Sequence, residues 1–355
     1  MTSINRRDFI RQHSNQDLDL QKLRDNPAAR RALEEAGSSV DDIARADFNR
    51  DGKISGDNEL DVLFDRVDRL DTDGNANTAI SVDRAGQATP AGKVVNTLGL
   101  LFENRPQRSI KDLQGSVGVD GRNNADDVRA VQQRLKDLGF DVSVDGQWGR
   151  GTQTAVRVFD SMINGHDAVS SAQDTVRPGS ALHKALSSDK APRWERMPAS
   201  GTGFTNIDRD GYSYGSNRMA DVIRDAGQRY QTSYGANHSS AANIGTNDVS
   251  RKEGGANRDH DSHQAGLDLD VSLPNTSGEH GSKVGWRNYD REASYHMVKA
   301  FAEDPRVDRV ILTDTRLIQW AKDTNQAWAD KIVTGGSVHN NHMHIDVSGT
   351  GYPAD

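Results

Sequence analysis

Two short alternating stretches, far apart in the chain, constrain its fold more than anything else in it. In the first, Leu267, Leu269 and Val271 alternate with Asp268 and Asp270, the period of a half-buried strand. Both carboxylates then share one face and the apolar residues bury the other. His260, His263 and Gly266 stand just before it. In the second, His339-Asn-Asn-His342-Met-His344-Ile-Asp346-Val, the residues His342, His344 and Asp346 fall on one face. Met343, Ile345 and Val347 fall on the other. Paired in one sheet, these strands would gather several metal-type ligands on a common face.

The chemistry of such a face is narrow. A hydrolytic zinc takes three protein ligands and keeps a place for water, whose pKa it lowers to about 7. His263 and Asp270 converge if the chain turns at Gly266, and His344 supplies a third ligand from the partner strand. His342, two residues away on the same face, is placed to exchange protons with that water or with a leaving amine. His339 and His260 fall just outside and read as orienting groups. The bland alternative is a set of loop histidines, but five of them joined to two amphipathic strands argue against it. Ser262 sits in no G-x-S-x-G elbow, so it reads as a loop-shaping residue and not a nucleophile. With no cysteine in the chain, any metal must be held by His and carboxylate, and disulfides are excluded.

Composition removes other classes. A formal net charge of −8 over 355 residues argues against a general nucleic-acid binder, and no apolar run approaches a membrane span. Asn5-Arg6-Arg7-Asp8-Phe9-Ile10 is superficially a twin-arginine signal, but polar residues follow it. The expectation is therefore synthesis in the cytoplasm without a signal peptide.

Ahead of the two strands the chain reads as helical modules. Helical spacing over 17–24, 27–36 and 40–46 leads into Asp47-Phe-Asn49-Arg-Asp51-Gly52-Lys53-Ile-Ser55, the opening of an EF-hand calcium loop. Asp47, Asn49 and Asp51 offer side-chain oxygens and Lys53 a carbonyl. Asn58 occupies the twelfth place, where a bidentate Glu belongs, and Glu59 comes one residue late. A weaker candidate uses Asp73, Asn75 and Asn77. Either segment also fits an Asx-rich turn. A helix over 59–70 follows the first loop, and the apolar patch 94–102 reads as another helix.

Farther on, an amphipathic helix over 126–138 ends at Gly139, and Val144-Asp145-Gly146-Gln-Trp148-Gly149 turns into a helix with Thr152 at its N-cap. This Q-x2-L-x2-L-G…V-D-G-x-W-G-x2-T-x2-A-V pattern resembles the three-helix peptidoglycan-binding domain over 117–186, with a closing helix near 180–186. The resemblance implies wall contacts through Leu135, Asp145, Trp148 and Thr152. Residues 187–200, with Pro192 and Pro198, read as a linker onward. Helices over 217–230 and 291–302, a strand over 307–313 and a helix over 316–324 complete the reading, with long Gly/Asn/Ser loops between them.

The motif His260-Asp-Ser-His263-Gln-Ala-Gly266-Leu-Asp268-Leu-Asp270, with His339-x-x-His342-x-His344, resembles the penicillin-insensitive murein endopeptidases. These belong with the lysostaphin, D-Ala-D-Ala metallopeptidase and Sonic hedgehog domains. The resemblance implies zinc on His263, Asp270 and His344, with His342 catalytic and His260 and His339 lining the site. No Glu stands near His339–His344, a departure from the dipeptidase branch that favours the endopeptidases. Lack of cysteine departs from what periplasmic relatives would carry.

The expectation is thus multidomain: an all-α EF-hand-like region over 1–100, a three-helix peptidoglycan-binding domain over 117–186, and an α+β zinc peptidase over 201–355 with a small antiparallel sheet. Zinc is the expected catalytic cofactor and calcium a structural one. The expected activity is endopeptidase cleavage of cell-wall cross-links, D-Ala to meso-diaminopimelate by resemblance, with the helical domain as a tether. Two settings fit, a phage endolysin or a secreted antibacterial effector, the latter with an immunity protein or secretion machinery as partner. The rivals are a D,D-carboxypeptidase on stem peptides and a non-catalytic zinc module. Neither nucleic acid nor membrane is an expected partner.

Overall fold

The computed structural model describes residues 6–13, 16–70, 89–104, 108–165, 168–208, 211–256 and 262–349. His260 and the second calcium-type loop lie outside the described residues. The chain divides into two compact units: Met1–Ser109 with Val128–Ala130 and Val144–Gln147, and the remainder of 110–355.

The first unit is not all-helical. Among its helices, strands Gln16–Asp19, Lys53–Ser55 and Phe102–Asn104 form an antiparallel sheet with the first in the middle. The expected helix over 17–24 is a strand up to Asp19, whose carboxylate then caps helix Leu20–Asp25 by accepting from Gln21 N and Lys22 N. Leu18 and Ile54 are the buried residues of the central pair, both fully enclosed. One buried residue per strand is too short a signal for a period of two to be read. The patch 94–102 likewise splits, into helix Pro90–Gly99 and the strand that begins at Phe102.

In the second unit, helices Ala125–Asp137, Arg150–Asn164 and Ala181–Ser187 build the expected three-helix domain. Thr152 is not the N-cap, which is Gly149. Residues 187–200 are not a free linker. Trp194–Arg196 pairs antiparallel with Tyr214–Ser216, Trp194 N donates to Leu138 O at 2.8 Å, and Phe140 stacks on the Trp194 ring.

The catalytic-type portion is a seven-stranded sheet. In chain order its strands are β1 (Ser200–Gly201), β2 (Phe204–Asn206), β3 (Ile244–Thr246), β4 (Asp268–Ser272), β5 (Val307–Leu312), β6 (Ile332–Thr334) and β7 (His342–Val347), arranged β6-β5-β7-β4-β3-β2-β1. This is larger than the small antiparallel sheet expected, and mixed. β2–β3 and β5–β6 are parallel, because α1 (Asn217–Ser233) and α3 (Thr315–Lys322) supply the crossovers that parallel pairs need. Its outer strands are two or three residues long and hide in the Gly/Asn loops. β4 and β7 pair antiparallel at the centre, with Asp268 opposite Asp346, Asp270 opposite His344, and Ser272 opposite His342. Leu269, Val271, Met343, Ile345 and Val347 turn to the opposite face and enter one core with α1 and α2 (Arg291–Ala302). The side chains of the polar ladder are thereby left together on the other face.

Candidate metal centre

Two devices bring His263 to the ladder. Gly266 turns the chain into β4 at φ +67°, where a Cβ would stand 2.4 Å from Gly215 Cα. Only glycine fits that approach. His263 itself is left-handed at φ +58°, an uncommon state for a side-chain-bearing residue. Asp268 holds it there by accepting from His263 N at 3.0 Å.

His263 Nε2, His344 Nδ1 and Asp270 Oδ1 then converge, at 3.2 Å between the rings and 3.3 and 2.9 Å to the carboxylate. Ligands about 2.0–2.1 Å from a tetrahedral zinc stand about 3.3 Å from one another, so the triangle has the dimensions of one face of such a site. The outer ring atoms decide the tautomers. Val249 O can only accept, so His263 Nδ1, 3.0 Å away, carries hydrogen and Nε2 keeps its lone pair. The Asp346 carboxylate lies 2.8 Å from His344 Nε2 and takes that nitrogen's hydrogen, so a cation that displaces the proton between Nδ1 and Asp270 finds the Nδ1 lone pair turned toward it. Three acceptors thus point at one another inside a buried site, an arrangement that calls for a cation. These residues fit a zinc ion.

The electrostatics show the same demand for positive charge, which protons on the rings meet when no cation is bound. Burial pulls the pKa of His344 down, but the carboxylates of Asp268, Asp270 and Asp346 outweigh it and push it up to about 12. Burial opposes and Asp270 overrides at His263 as well, raising its pKa. Asp270 is held well below the usual carboxylate range because both rings outweigh its burial. His342 differs. Its pKa is lowered by burial, with Asp270 in partial opposition. Asn341 Oδ1, 3.0 Å from its Nδ1, takes that hydrogen and leaves Nε2 facing Asp270 Oδ1 at 3.6 Å.

His339 ends a short 3-10 turn, Ser337–His339, with its ring centroid 5.1 Å from that of His342 and 6.0 Å from that of His344. A Cβ on Gly335 would stand 2.5 Å from its Nδ1. The structure therefore brings together His263, Asp270, His344, His342 and His339. Sequence reasoning put Asp268 and Asp346 on the ligand face without giving either a role, and passed over Arg309. Asp346 accepts from Arg309 Nε on β5 while it holds His344, and burial of its carboxyl is outweighed by His344 and Arg309, which lower its pKa. The alternation itself carried the signal for the two acids, since both share the ligands' face. Two ligand-competent groups occur among the described residues, His263–Asp270–His344 and Asp268–His344–Asp346.

Elsewhere the placements are mixed. Leu135 is fully buried, and Thr152 is interior with its Oγ1 accepting from Gln132 Nε2 at 3.1 Å. Both hold the helical domain together and offer no surface to a ligand. Asp145 closes the D-G turn by accepting from Gln147 N, and Trp148 is half-buried beside it. In the calcium-type loop, Asp47 accepts from Asp51 N and Gly52 N, Asn49 from Asp51 N, and Asp51 from Lys53 N. Glu59, one residue late for the twelfth place, has its carboxylate on the loop's own backbone, within electrostatic reach of Asp47. It lies in the first turn of helix Gly56–Asp68 and is buried, accepting from Phe48 N at 3.1 Å and Ser55 N at 2.8 Å. Asn58 Nδ2 donates to Gln147 Oε1 at 3.2 Å.

Residues 193–351 match the penicillin-insensitive murein endopeptidase family, and residues 124–162 match a putative peptidoglycan binding domain. No curated protein matches the chain at a significant level.

Proposed function

We propose, from the premise that residues 193–351 belong to the penicillin-insensitive murein endopeptidase family, that this peptidoglycan hydrolase is a zinc-dependent endopeptidase cutting wall cross-links. The observation that carries the reading is the convergence of three lone pairs on His263, Asp270 and His344, each histidine fixed by a partner on its other nitrogen. Zinc held there supplies Lewis acidity, activating water near neutral pH and polarising the scissile carbonyl. His342, neutral because burial lowers its pKa, takes a proton at Nε2 as water attacks and returns it to the leaving amine. That proton transfer is general base and then general acid catalysis. His339 stands next to it and lines the same wall of the site.

The proposed bond is D-Ala to meso-diaminopimelate, as the family resemblance suggests. The enzyme would meet it in the cell wall, after phage lysis or delivery by a secretion machine as an antibacterial effector. No helix among the described residues is long and apolar enough to cross a membrane. The helical domain supports peptidoglycan as the partner, through Asp145 and Trp148 at its surface. We also propose that the Asp47–Asn49–Asp51 loop with the Lys53 carbonyl takes calcium weakly.

Digestion of purified sacculi followed by muropeptide separation tests the reading. An endopeptidase converts cross-linked dimers to monomers in a zinc-dependent way. Loss of terminal D-Ala with dimers intact would make it a carboxypeptidase.

A further inference from the structure

The geometry points to a substrate subsite on the lobe that leads out of β4, an open cavity at Trp286 and Arg287 that receives a carboxylate-bearing stretch of stem peptide. It rests on the peptidoglycan reading and adds to it the residues that would hold the chain beyond the scissile bond.

The lobe is built beside the proton-transfer end of the polar ladder. β4 ends at Ser272, directly opposite His342. From Leu273 the chain folds into a compact lobe before α2 begins at Arg291. Gly281 N and Ser282 N both donate to Leu273 O at 3.1 Å, and Thr276 N donates to Asn288 O at 2.9 Å. The lobe is also stitched to the segment that enters β7. Val284 N donates to Asn340 O at 2.8 Å and Leu273 N to Asn341 O at 3.4 Å, and the next residue is His342. Its position relative to His342 is thus fixed by backbone bonds on both sides.

An open cavity of about 660 Å³ lies on this lobe, lined by Thr276, Gly285, Trp286, Arg287 and Asn288. Trp286 is 53% exposed, and Lys283 Nζ stands 5.5 Å from its ring centre. Neither Lys283 nor Arg287 has an ion pair or hydrogen bond from its side chain among the described residues. The acid nearest to Arg287 in sequence, Asp290, spends its carboxylate capping α2 on Ala293 N, and Glu279, four residues before Lys283, is exposed and makes no ion pair with either cation among the described residues. Two cations with no anionic partner among the described residues, one over the indole and one lining the same cavity, stand out in a chain of net charge −8. A guanidinium offers the planar fork that pairs with a carboxylate through two hydrogen bonds, and the indole offers an apolar flank to the peptide between.

Reach is the remaining condition. Two residues of strand separate Asp270 from Ser272, about 7 Å, and the lobe starts at the next residue. A stem peptide in extended form spans about 3.3–3.6 Å per residue. A bond held at His263, Asp270 and His344 is therefore about two extended residues from the start of the lobe, and the chain beyond it runs toward the cavity at Arg287. Stem peptides carry free carboxylates, so the ligand and the site agree in charge.

Steady-state kinetics of the zinc-loaded full chain on soluble cross-linked muropeptides test the subsite. Arg287→Ala and Arg287→Glu should raise KM about tenfold, the loss of one charged pair of about 1.4 kcal/mol, while kcat and bound zinc hold. Arg287→Lys should recover part of the loss, and Trp286→Ala should raise KM independently. Amidating the free carboxylates of the substrate should raise the KM of the unsubstituted enzyme and leave that of Arg287→Ala alone. An unchanged KM in both alanine variants, with dimers still cleaved, overturns the subsite and leaves the hydrolase reading standing. Failure of the zinc-loaded unsubstituted protein to cleave any muropeptide overturns that reading, and the subsite with it.

Discussion

The Gln264 side-chain oxygen accepts a hydrogen bond at 3.1 Å from the backbone N–H of Val169, joining the residue after a metal ligand to the helical domain. Other contacts run alongside. Trp194 N bonds to Leu138 O, Lys252 pairs with Asp141, and a Cβ on Gly254 would stand 2.8 Å from Val158. The loop that carries His263 therefore has the helical domain as one of its walls. A freely jointed tether would act only through effective concentration, and this one does more.

Deleting residues 117–186 should therefore abolish cleavage of soluble muropeptides as well as of whole sacculi. Gln264→Ala, which leaves Val169 N without its partner in a buried place, should cost about 1–3 kcal/mol of stability and loosen zinc binding. Thermal melts and zinc titration check both. Full activity of the deletion variant on soluble substrate would return the domain to the role of a tether.

The ligand assignment separates two neighbouring histidines. His344→Ala should lose zinc and activity together, whereas His342→Ala should keep zinc and lose most turnover. Asp346→Asn leaves all three ligands in place but weakens the acceptor that fixes the His344 tautomer. Changes of that kind cost about 10–100-fold in metal affinity. Elemental analysis and chelator competition distinguish the three. Metal loss in His342→Ala with retention in His344→Ala would reverse the assignment.

Why the metal centre was legible and its surroundings were not follows from the length of the signals. β4 and β7 each alternate over five or six residues, enough to fix which face carries Asp270, His342 and His344, and their pairing register aligns the two motifs. Helices with caps and full apolar stripes were legible too, and Arg291–Ala302 stands where its periodicity put it. Strands of two or three residues, such as Ile244–Thr246 and Lys53–Ser55, are below the reach of any period. Arg309 and Val249 were invisible for another reason. They touch the site through the fold and belong to no motif.

Calcium affinity tests the loop at Asp47. Asp47, Asn49 and Asp51 are engaged with the loop's own amides, and the Glu59 carboxylate, its pKa raised by burial, ties Phe48 to Ser55. With Glu59 occupied there, the site lacks a bidentate acid and should bind in the range of extracellular modules, about 10⁻⁴–10⁻³ M. Such a site would fill outside a cell and stay empty inside one. Calorimetric titration with melts at each point decides. Sub-micromolar binding sinks this compartment dependence, and no binding leaves an Asx-rich turn.

Acid should weaken the fold through Asp304. The residue is wholly buried in the turn between α2 and β5. Its carboxylate accepts from Arg229 Nη1 at 3.0 Å and from Arg306 Nε and Nη2 at 2.9 and 2.7 Å, joining α1 to the entry of β5. Burial pushes this carboxyl up, but the bonds from Arg306 and Arg229 outweigh it and bring its pKa to about 2. An unfolded Asp titrates near about 3.9, so the difference is worth about 2–3 kcal/mol. Because the folded value is the lower, this stability is fully present above about pH 5 and is lost as pH falls through 4 toward 2. Asp304→Asn should lower stability at neutral pH, through Arg229 left without its carboxylate and Arg306 left with only the exposed Asp225, and should flatten the pH dependence in that window. Urea unfolding of both proteins across pH 3–7 measures the difference. Parallel pH profiles for the two would mean that Asp304 is not the group that titrates.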